Sequence, residues 1–222
     1  LNTLADSTLD VPARIAKEIQ FLVNRGTLSP GVHLGQAELA ERFSTSRVPV
    51  REALKLLATT GIVTHDPKRG FFVSPLSSAE ARQLYRLRHL LEVELLQTVE
   101  WPDTAWLDTM KAKVDELEQL VKTDPQLWLG KQREFHLEIF RLSPHDLIRR
   151  EVVRLWALTD RYRSLLMAAT PSPKPTGFDG HEERQLIEAL AAHDRETLIS
   201  LYHNERSAVE ALLLGVLAER GL

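Results

Sequence analysis

The sequence predicts a mainly α chain in two parts: three short helices closed by a β-hairpin, then an all-α helical bundle. Three observations carry that reading. Apolar residues recur at helical spacing along most of the 222 residues. Two short runs, 62–65 and 71–73, are instead rich in β-branched and aromatic residues and bracket a turn, Asp66-Pro67-Lys68-Arg69-Gly70. From Ser78 onward no strand signal recurs. The expected domains are residues 8–76 and 77–222.

Each element follows from local chemistry. Asp10 stands where it can cap a helix whose first turn holds Pro12, and Ile15, Ile19 and Leu22 follow on one face. That helix stops near Gly26, and Ser29-Pro30-Gly31 turns the chain. A short helix over 36–43 points Leu39, Ala40 and Phe43 inward. Ser44-Thr45-Ser46 is a polar link, with Ser46 able to cap a third helix over 47–59 whose inner face is Val50, Ala53, Leu54 and Leu57. Helix, short helix, turn, helix and hairpin together make a winged helix-turn-helix. The bundle helices are expected over 78–99, 103–122, 125–142, 145–170, 181–193 and 195–220. Asp124-Pro125 starts the third of these, and the Pro-rich stretch 171–177 forms a long loop. Leu186, Ile187 and Leu190, then Leu198, Leu201 and Tyr202, mark the inner faces of the last two. Trp128 and Trp156 are read as core or interface. No fixed-period repeat is evident, which argues against a solenoid.

Composition narrows the function. A chain 43% hydrophobic and 27% charged, with no long apolar run, reads as a globular protein without a membrane span. The absence of a signal-like start makes the cytoplasm the expected address. With no cysteine, disulfides, thiolate zinc sites and thiol nucleophiles are excluded together. The net charge of -3 hides an asymmetry. Residues 1–76 sum to +2 and the remainder to -5, so the two parts carry different jobs.

On the third helix, Arg47, Arg51 and Lys55 are spaced four residues apart and form one cationic row, with Val48 beside it. Such a row near a helix N-terminus can fork onto guanine or clamp phosphate. Lys68, Arg69 and the permissive Gly70 sit at the hairpin tip, placed to approach a DNA backbone. A solvated charged face would explain three isolated charges, but not the complete helix-and-wing layout. Ser46, Arg47, Val48, Arg51, Lys55, Lys68, Arg69 and Gly70 are therefore the candidate DNA-binding residues.

These stretches carry a family likeness. Gly31-Val32-His33-Leu34, Glu38-Leu39-Ala40, Ser46-Arg47-Val48-Pro49-Val50-Arg51-Glu52-Ala53-Leu54, Gly61-Ile62-Val63 and Arg69-Gly70-Phe71-Phe72-Val73 closely resemble the winged-helix domain of GntR-type bacterial regulators. The resemblance implies that Arg47, Val48 and Arg51 contact double-stranded operator DNA and that Gly70 lies against it. The family often has an arginine early in the second helix, where this chain has Ala37. The helical remainder resembles the effector-binding domain of the FadR-type (FCD) subgroup, through Leu87-Arg88-His89-Leu90-Leu91-Glu92, Glu134-Phe135-His136, the segment from His181 to Leu190, and His203.

His136 shares a helical stripe with Leu129, Gln132 and Phe140, so it faces inward, as a core histidine or as a ligand. In the resembled subgroup this histidine, an aspartate four residues earlier and two later histidines bind a divalent metal. The resemblance assigns those later places to His181 and His203, and neutral imidazoles suit zinc or nickel. The aspartate is replaced here by Gln132, a weaker, uncharged ligand. Arg88 matches an inward arginine that meets acidic effectors in the family; a salt bridge to Glu92, one turn on, is the alternative. Arg133, Arg161 and Arg163 are weaker candidates, while His89, His145 and His193 are read as surface or structural. Arg88, Gln132, His136, His181 and His203 thus form the expected effector site, with a small organic acid as ligand and a homodimer as the expected assembly. A metal-dependent hydrolase is the competing reading, against which stand the missing His-Glu-x-x-His, nucleophile elbow and phosphate loop. A helical adaptor is the third.

Overall fold

The structure is a computed structural model that describes residues 10–169 and 181–222, excluding the side chains at 122, 125, 126, 168 and 181. The expected long loop at 171–177 falls outside the described residues. The chain divides between Leu76 and Ser77 into two compact units.

In the first unit, α1 (Val11–Asn24) buries Ile15, Ala16, Ile19 and Val23, one apolar stripe two turns long. The second helix, α2 (Gln36–Arg42), and α3 (Arg47–Thr59) follow, and both α1 and α2 pack on α3. α3 buries Val50, Ala53, Leu54 and Leu57, the face read from the sequence. Neither Asp10 nor Ser46 makes the expected side-chain capping bond, although each occupies the N-cap position. Between α2 and α3 the chain turns through Ser44 at a φ of 49°. Strands β1 (Val63–Asp66) and β2 (Gly70–Val73) pair antiparallel, Val63 opposite Val73 and Asp66 opposite Gly70. β2 turns Phe71 and Val73 into the core. Its other edge is also occupied: Leu34 N–H donates to Phe71 at 2.7 Å and Val73 N–H to Val32 at 2.9 Å. The sequence reading missed this third segment, because Pro30 and Gly31 beside it signal only a turn.

The second unit holds α4 (Ser78–Gln97), α5 (Thr104–Thr123), α6 (Pro125–Phe140), α7 (Asp146–Ala169), α8 (His181–Ala191) and α9 (Arg195–Glu219). Four of these have side-chain caps. Ser77 accepts from Glu80 N–H, Asp103 from Trp106, Asp124 from Leu127 and Asp194 from Thr197, at 2.8–3.1 Å. Each such cap stabilises its helix by about 1 kcal/mol. α4 lies between α7 and α9, α6 touches α4, α5 and α7, and α8 packs on α5 and α9. Trp128, Trp156, Phe135 and Leu213 are fully buried, as are Glu92, His136 and Glu183. Polar groups at the centre of a bundle need partners, and they locate the second site.

Candidate DNA-reading surface and buried polar site

α3 holds its buried face against α1 and α2, so the opposite face stands in water. Ser46, Arg47, Val48, Arg51 and Lys55 are all exposed, Val48 by 61%. An apolar side chain so exposed on a cationic helix offers methyl groups a surface to meet. Glu52 lies within the row, accepting from Lys55 Nζ at 3.1 Å with Arg51 Nε at 3.6 Å. The Lys55 hydrogen bond holds the Glu52 carboxyl below its usual range. At the wing, Asp66 Oδ1 accepts from the backbone of Lys68 at 2.8 Å and Arg69 at 3.0 Å, tying down the tip. Arg69 lies over the Phe72 ring at 5.0 Å. Gly70 has a φ of +94°, and a Cβ there would stand 3.1 Å from His33 Nε2. The positive φ favours glycine, and any side chain would also have to push the His33 ring aside.

In the second unit, three guanidinium groups surround one indole. Arg88, Arg163 and Arg206 lie 3.8, 5.1 and 5.2 Å from the Trp156 ring centre. Arg88, from α4, donates to Glu92 at 2.8 Å and to Thr159 at 2.9 Å; the ion pair with Glu92 is real and leaves Nη2 without a hydrogen-bond partner among the described residues. Arg163, from α7, donates to Gln132 Oε1 and sits 3.9 Å from Asp160. Arg206, from α9, donates to the adjacent Glu205. That bond from Arg163 fixes which end of the Gln132 amide is oxygen. The Gln132 nitrogen therefore faces the other way, donating to Glu183 at 2.7 Å and Glu205 at 3.3 Å.

His136 completes the cluster, its Nε2 3.7 Å from Glu205. Burial and then the fields of Arg206, Arg163 and Arg88 hold its imidazole pKa well below the ordinary value, so the ring is neutral. Burial and the neighbouring Glu205 push Glu183 up to about 7. Ligand atoms of His136, Glu183 and Glu205 all lie within 4.8 Å of one another. Both ring nitrogens of His136 and one oxygen of each glutamate lack hydrogen-bond partners among the described residues. This donor set fits a divalent cation, with the Gln132 amide now spanning the two carboxylates.

One expected ligand lies elsewhere, and another falls outside the described residues. His203 is exposed and pairs with His89, Nδ1 to Nδ1 at 3.2 Å. His181 opens α8, but its side chain lies outside the described residues. Glu205, two positions after His203, supplies the α9 contribution instead, and Glu183 supplies one from α8. Two helical residues are about 200° of rotation, which moves a side chain to the other face. A signal did exist. Glu183 is three residues before Leu186, and Glu205 three after Tyr202, both on stripes already read as inward. Arg161 and Arg163, weaker candidates in the sequence, are buried against Glu80 and Gln132. Arg133 pairs with Asp160 at 2.6 Å, nearer the surface. Trp128 and Trp156 are both core.

Residues 12–73 match the family model of gntR-family bacterial regulatory proteins, and residues 83–204 match the FCD domain. The chain belongs to the GntR family and carries an FCD domain. Escherichia coli McbR/YncC shares the fold, with a TM-score of 0.80 over 93% of this chain and 98% of that one at 23% identity. The gluconate operon transcriptional repressor of Bacillus licheniformis is 27% identical over 203 residues, 89% of this chain and 82% of that protein. An uncharacterised regulator of Streptomyces ambofaciens is 36% identical over 152 residues, 66% of this chain. The chain spans 62% of that protein and 54% of a similar Bacillus subtilis regulator. GntR proteins are DNA-binding transcriptional regulators and not enzymes, which removes the hydrolase reading. Among the described residues, no helix is long and apolar enough to cross a membrane.

Proposed function

We propose that this GntR regulator binds a pseudo-palindromic operator as a homodimer in the cytoplasm and responds to a small hydroxylated carboxylate held in the FCD domain. In that reading α3 enters the major groove with Arg47, Val48 and Arg51, Lys55 and Ser46 meet the backbone, and Lys68, Arg69 and Gly70 bring the wing against it. One observation carries the ligand class: unmet donors and unmet acceptors share one buried cluster. Among the described residues, Arg88 Nη2, Arg206 Nη1 and the Tyr85 and Tyr202 hydroxyls lack hydrogen-bond partners, and so do Glu183 Oε2 and Glu205 Oε2. Guanidinium groups call for a carboxylate, and unmet carboxylate oxygens call for hydroxyl or ammonium donors. A ligand bearing both satisfies the cluster; a plain fatty acid does not. His136, Glu183 and Glu205 would also hold a divalent cation, which when bound supplies a Lewis-acid anchor for the effector carboxylate. Arg88 and Arg206 orient the carboxylate, and the neutral His136 accepts from an effector hydroxyl or a metal.

The relatives that repress a gluconate operon make gluconate the first probe. Thermal shift and operator titration should be run with gluconate, a panel of other hydroxy and amino acids, and glucitol as the uncharged control. At least one hydroxy or amino acid should raise the melting temperature and change operator affinity by about 1–3 kcal/mol, with glucitol inert. Arg88→Gln should remove both effects. A panel in which no acid shifts either quantity, or in which glucitol acts as well as the acids, overturns the assignment.

A further inference from the structure

On the outer side of the bundle, His89 of α4 and His203 of α9 meet with their Nδ1 atoms 3.2 Å apart and their ring planes inclined at 55°. We propose that this pair is a surface site for a late first-row divalent cation, Zn²⁺ or Ni²⁺, that clamps α4 to α9. It is separate from the buried His136 cluster.

The spacing carries the argument. Two imidazole nitrogens bound to one ion at about 2.0–2.1 Å are about 3.0 Å apart at a right angle and about 3.4 Å apart at a tetrahedral angle. The observed separation lies between those two bites. The pair needs no rearrangement of either helix to take up an ion. Two facing Nδ1 atoms cannot both be acceptors without one, since lone pair would meet lone pair. Access is open on both sides. A groove of about 770 Å³ with Val93, Glu196 and Ile199 on its walls runs along one flank, and a pocket of about 260 Å³ containing Ser207 and Glu210 lies on the other. Water, or a carboxylate from either flank, can complete the coordination shell. His203 is exposed and His89 only half-buried, so the ion exchanges with solvent.

Electrostatics set the strength. Burial, His203 and Arg86 all lower the His89 pKa, with Glu92 opposing. Arg86 and Arg206 border the smaller pocket and Arg195 the groove, and all three repel a cation, while Glu210 and Glu196 on those same two flanks attract one. The clamp joins the same two helices whose inner faces carry Arg88, Glu205 and Arg206.

The test uses the full chain and Zn²⁺ alone, titrated against a chromophoric chelator at neutral pH, with thermal melts in parallel. Wild type should bind Zn²⁺ in the micromolar range and melt higher in its presence. His89→Gln and His203→Gln should each weaken one zinc equivalent by about tenfold or more and lose the melting gain, while circular dichroism shows an unchanged helical fold. His145→Gln, a surface histidine elsewhere, should behave as wild type. If the buried cluster also binds zinc, wild type takes two equivalents and His203→Gln one. Zinc binding of equal affinity and stoichiometry in wild type and His203→Gln overturns the proposal. So does an absence of micromolar zinc binding in wild type, which would leave the pair a hydrogen bond between complementary tautomers.

Discussion

The two units keep their cations in opposite ways. On α3, Arg47, Arg51 and Lys55 stand in water, with Glu52 beside Arg51 and Lys55. In the bundle, Arg88, Arg163 and Arg206 are within a few per cent of complete burial, stacked around Trp156 and paired with Glu92, Gln132 and Glu205. The exposed row adds little to stability, because solvent screens each pair. It is therefore free to meet phosphates and bases. The buried set is costly to desolvate and must be matched almost bond for bond. Its unmet atoms are correspondingly selective, since a ligand that leaves them unmet gains nothing. Surface cations suit a long, repetitive polyanion, and buried ones a small molecule of defined shape.

The largest test of that contrast removes one acid from each unit. Glu205→Ala strips Arg206 of its carboxylate and Gln132 of one acceptor. It should cost about 3–5 kcal/mol of folding stability, read by urea denaturation. Replacing both partners, Glu205→Leu with Arg206→Met, should recover most of the loss because no charge is then stranded. Glu52→Ala on α3 should leave the unfolding midpoint where it was. Equal effects from Glu205→Ala and Glu52→Ala would break the comparison.

Next in size is the response to pH. Glu183 titrates near 7 in the folded protein against 4.5 in its ordinary state. The folded state therefore holds this proton more tightly, and its contribution to stability is full below pH 4.5 and lost as pH rises through about 7. The span corresponds to at most about 3 kcal/mol. His136 works against it. Its pKa is depressed on folding, so its contribution is present above pH 6.5 and lost as pH falls towards the lowered value. The two slopes oppose each other between pH 4.5 and 6.5. Subtracting the stability of Glu183→Gln from wild type isolates the glutamate: the difference should fall steadily from pH 4.5 to 7 and then level. A flat difference would mean that Glu183 is ionised throughout.

What could be read from the sequence follows the same divide. The α3 row was legible because a periodic apolar stripe fixes its inner face and so assigns Arg47, Arg51 and Lys55 to the outer one. Helix order in the bundle was legible for the same reason, and the cap at Asp124 set one of its boundaries. The buried cluster was only half legible. Gln132 and His136 were placed inward by their stripe with Phe140, yet His203 drew attention away from Glu205, and Glu183 was not singled out. Histidine is chemically conspicuous, but helical phase decides which side chain reaches the interior. Arg163 and Arg206 were beyond reach for a different reason. Their burial depends on Gln132 and Glu205 meeting them from other helices or from the next residue, and a single helix's periodicity does not contain that pairing.

The smallest expected effects concern the exposed unit, and they separate two roles within it. Arg51→Ala should cost about 1–3 kcal/mol of operator affinity and relax discrimination among sequences, because a forked contact to a base edge is lost. Lys68→Ala should weaken every duplex about equally, because a phosphate contact carries no base information. The wing change should also lower the slope of log affinity against log salt by about 1, one released counterion fewer, whereas the specificity ratio stays put. Both variants should melt with wild type, since neither side chain is buried. Anisotropy titrations on operator and scrambled duplexes at several salt concentrations measure all of this together. If Arg51→Ala changes only the salt slope and leaves discrimination intact, α3 lies along the backbone and not in the groove. The wing would then be the place to look for the base contacts.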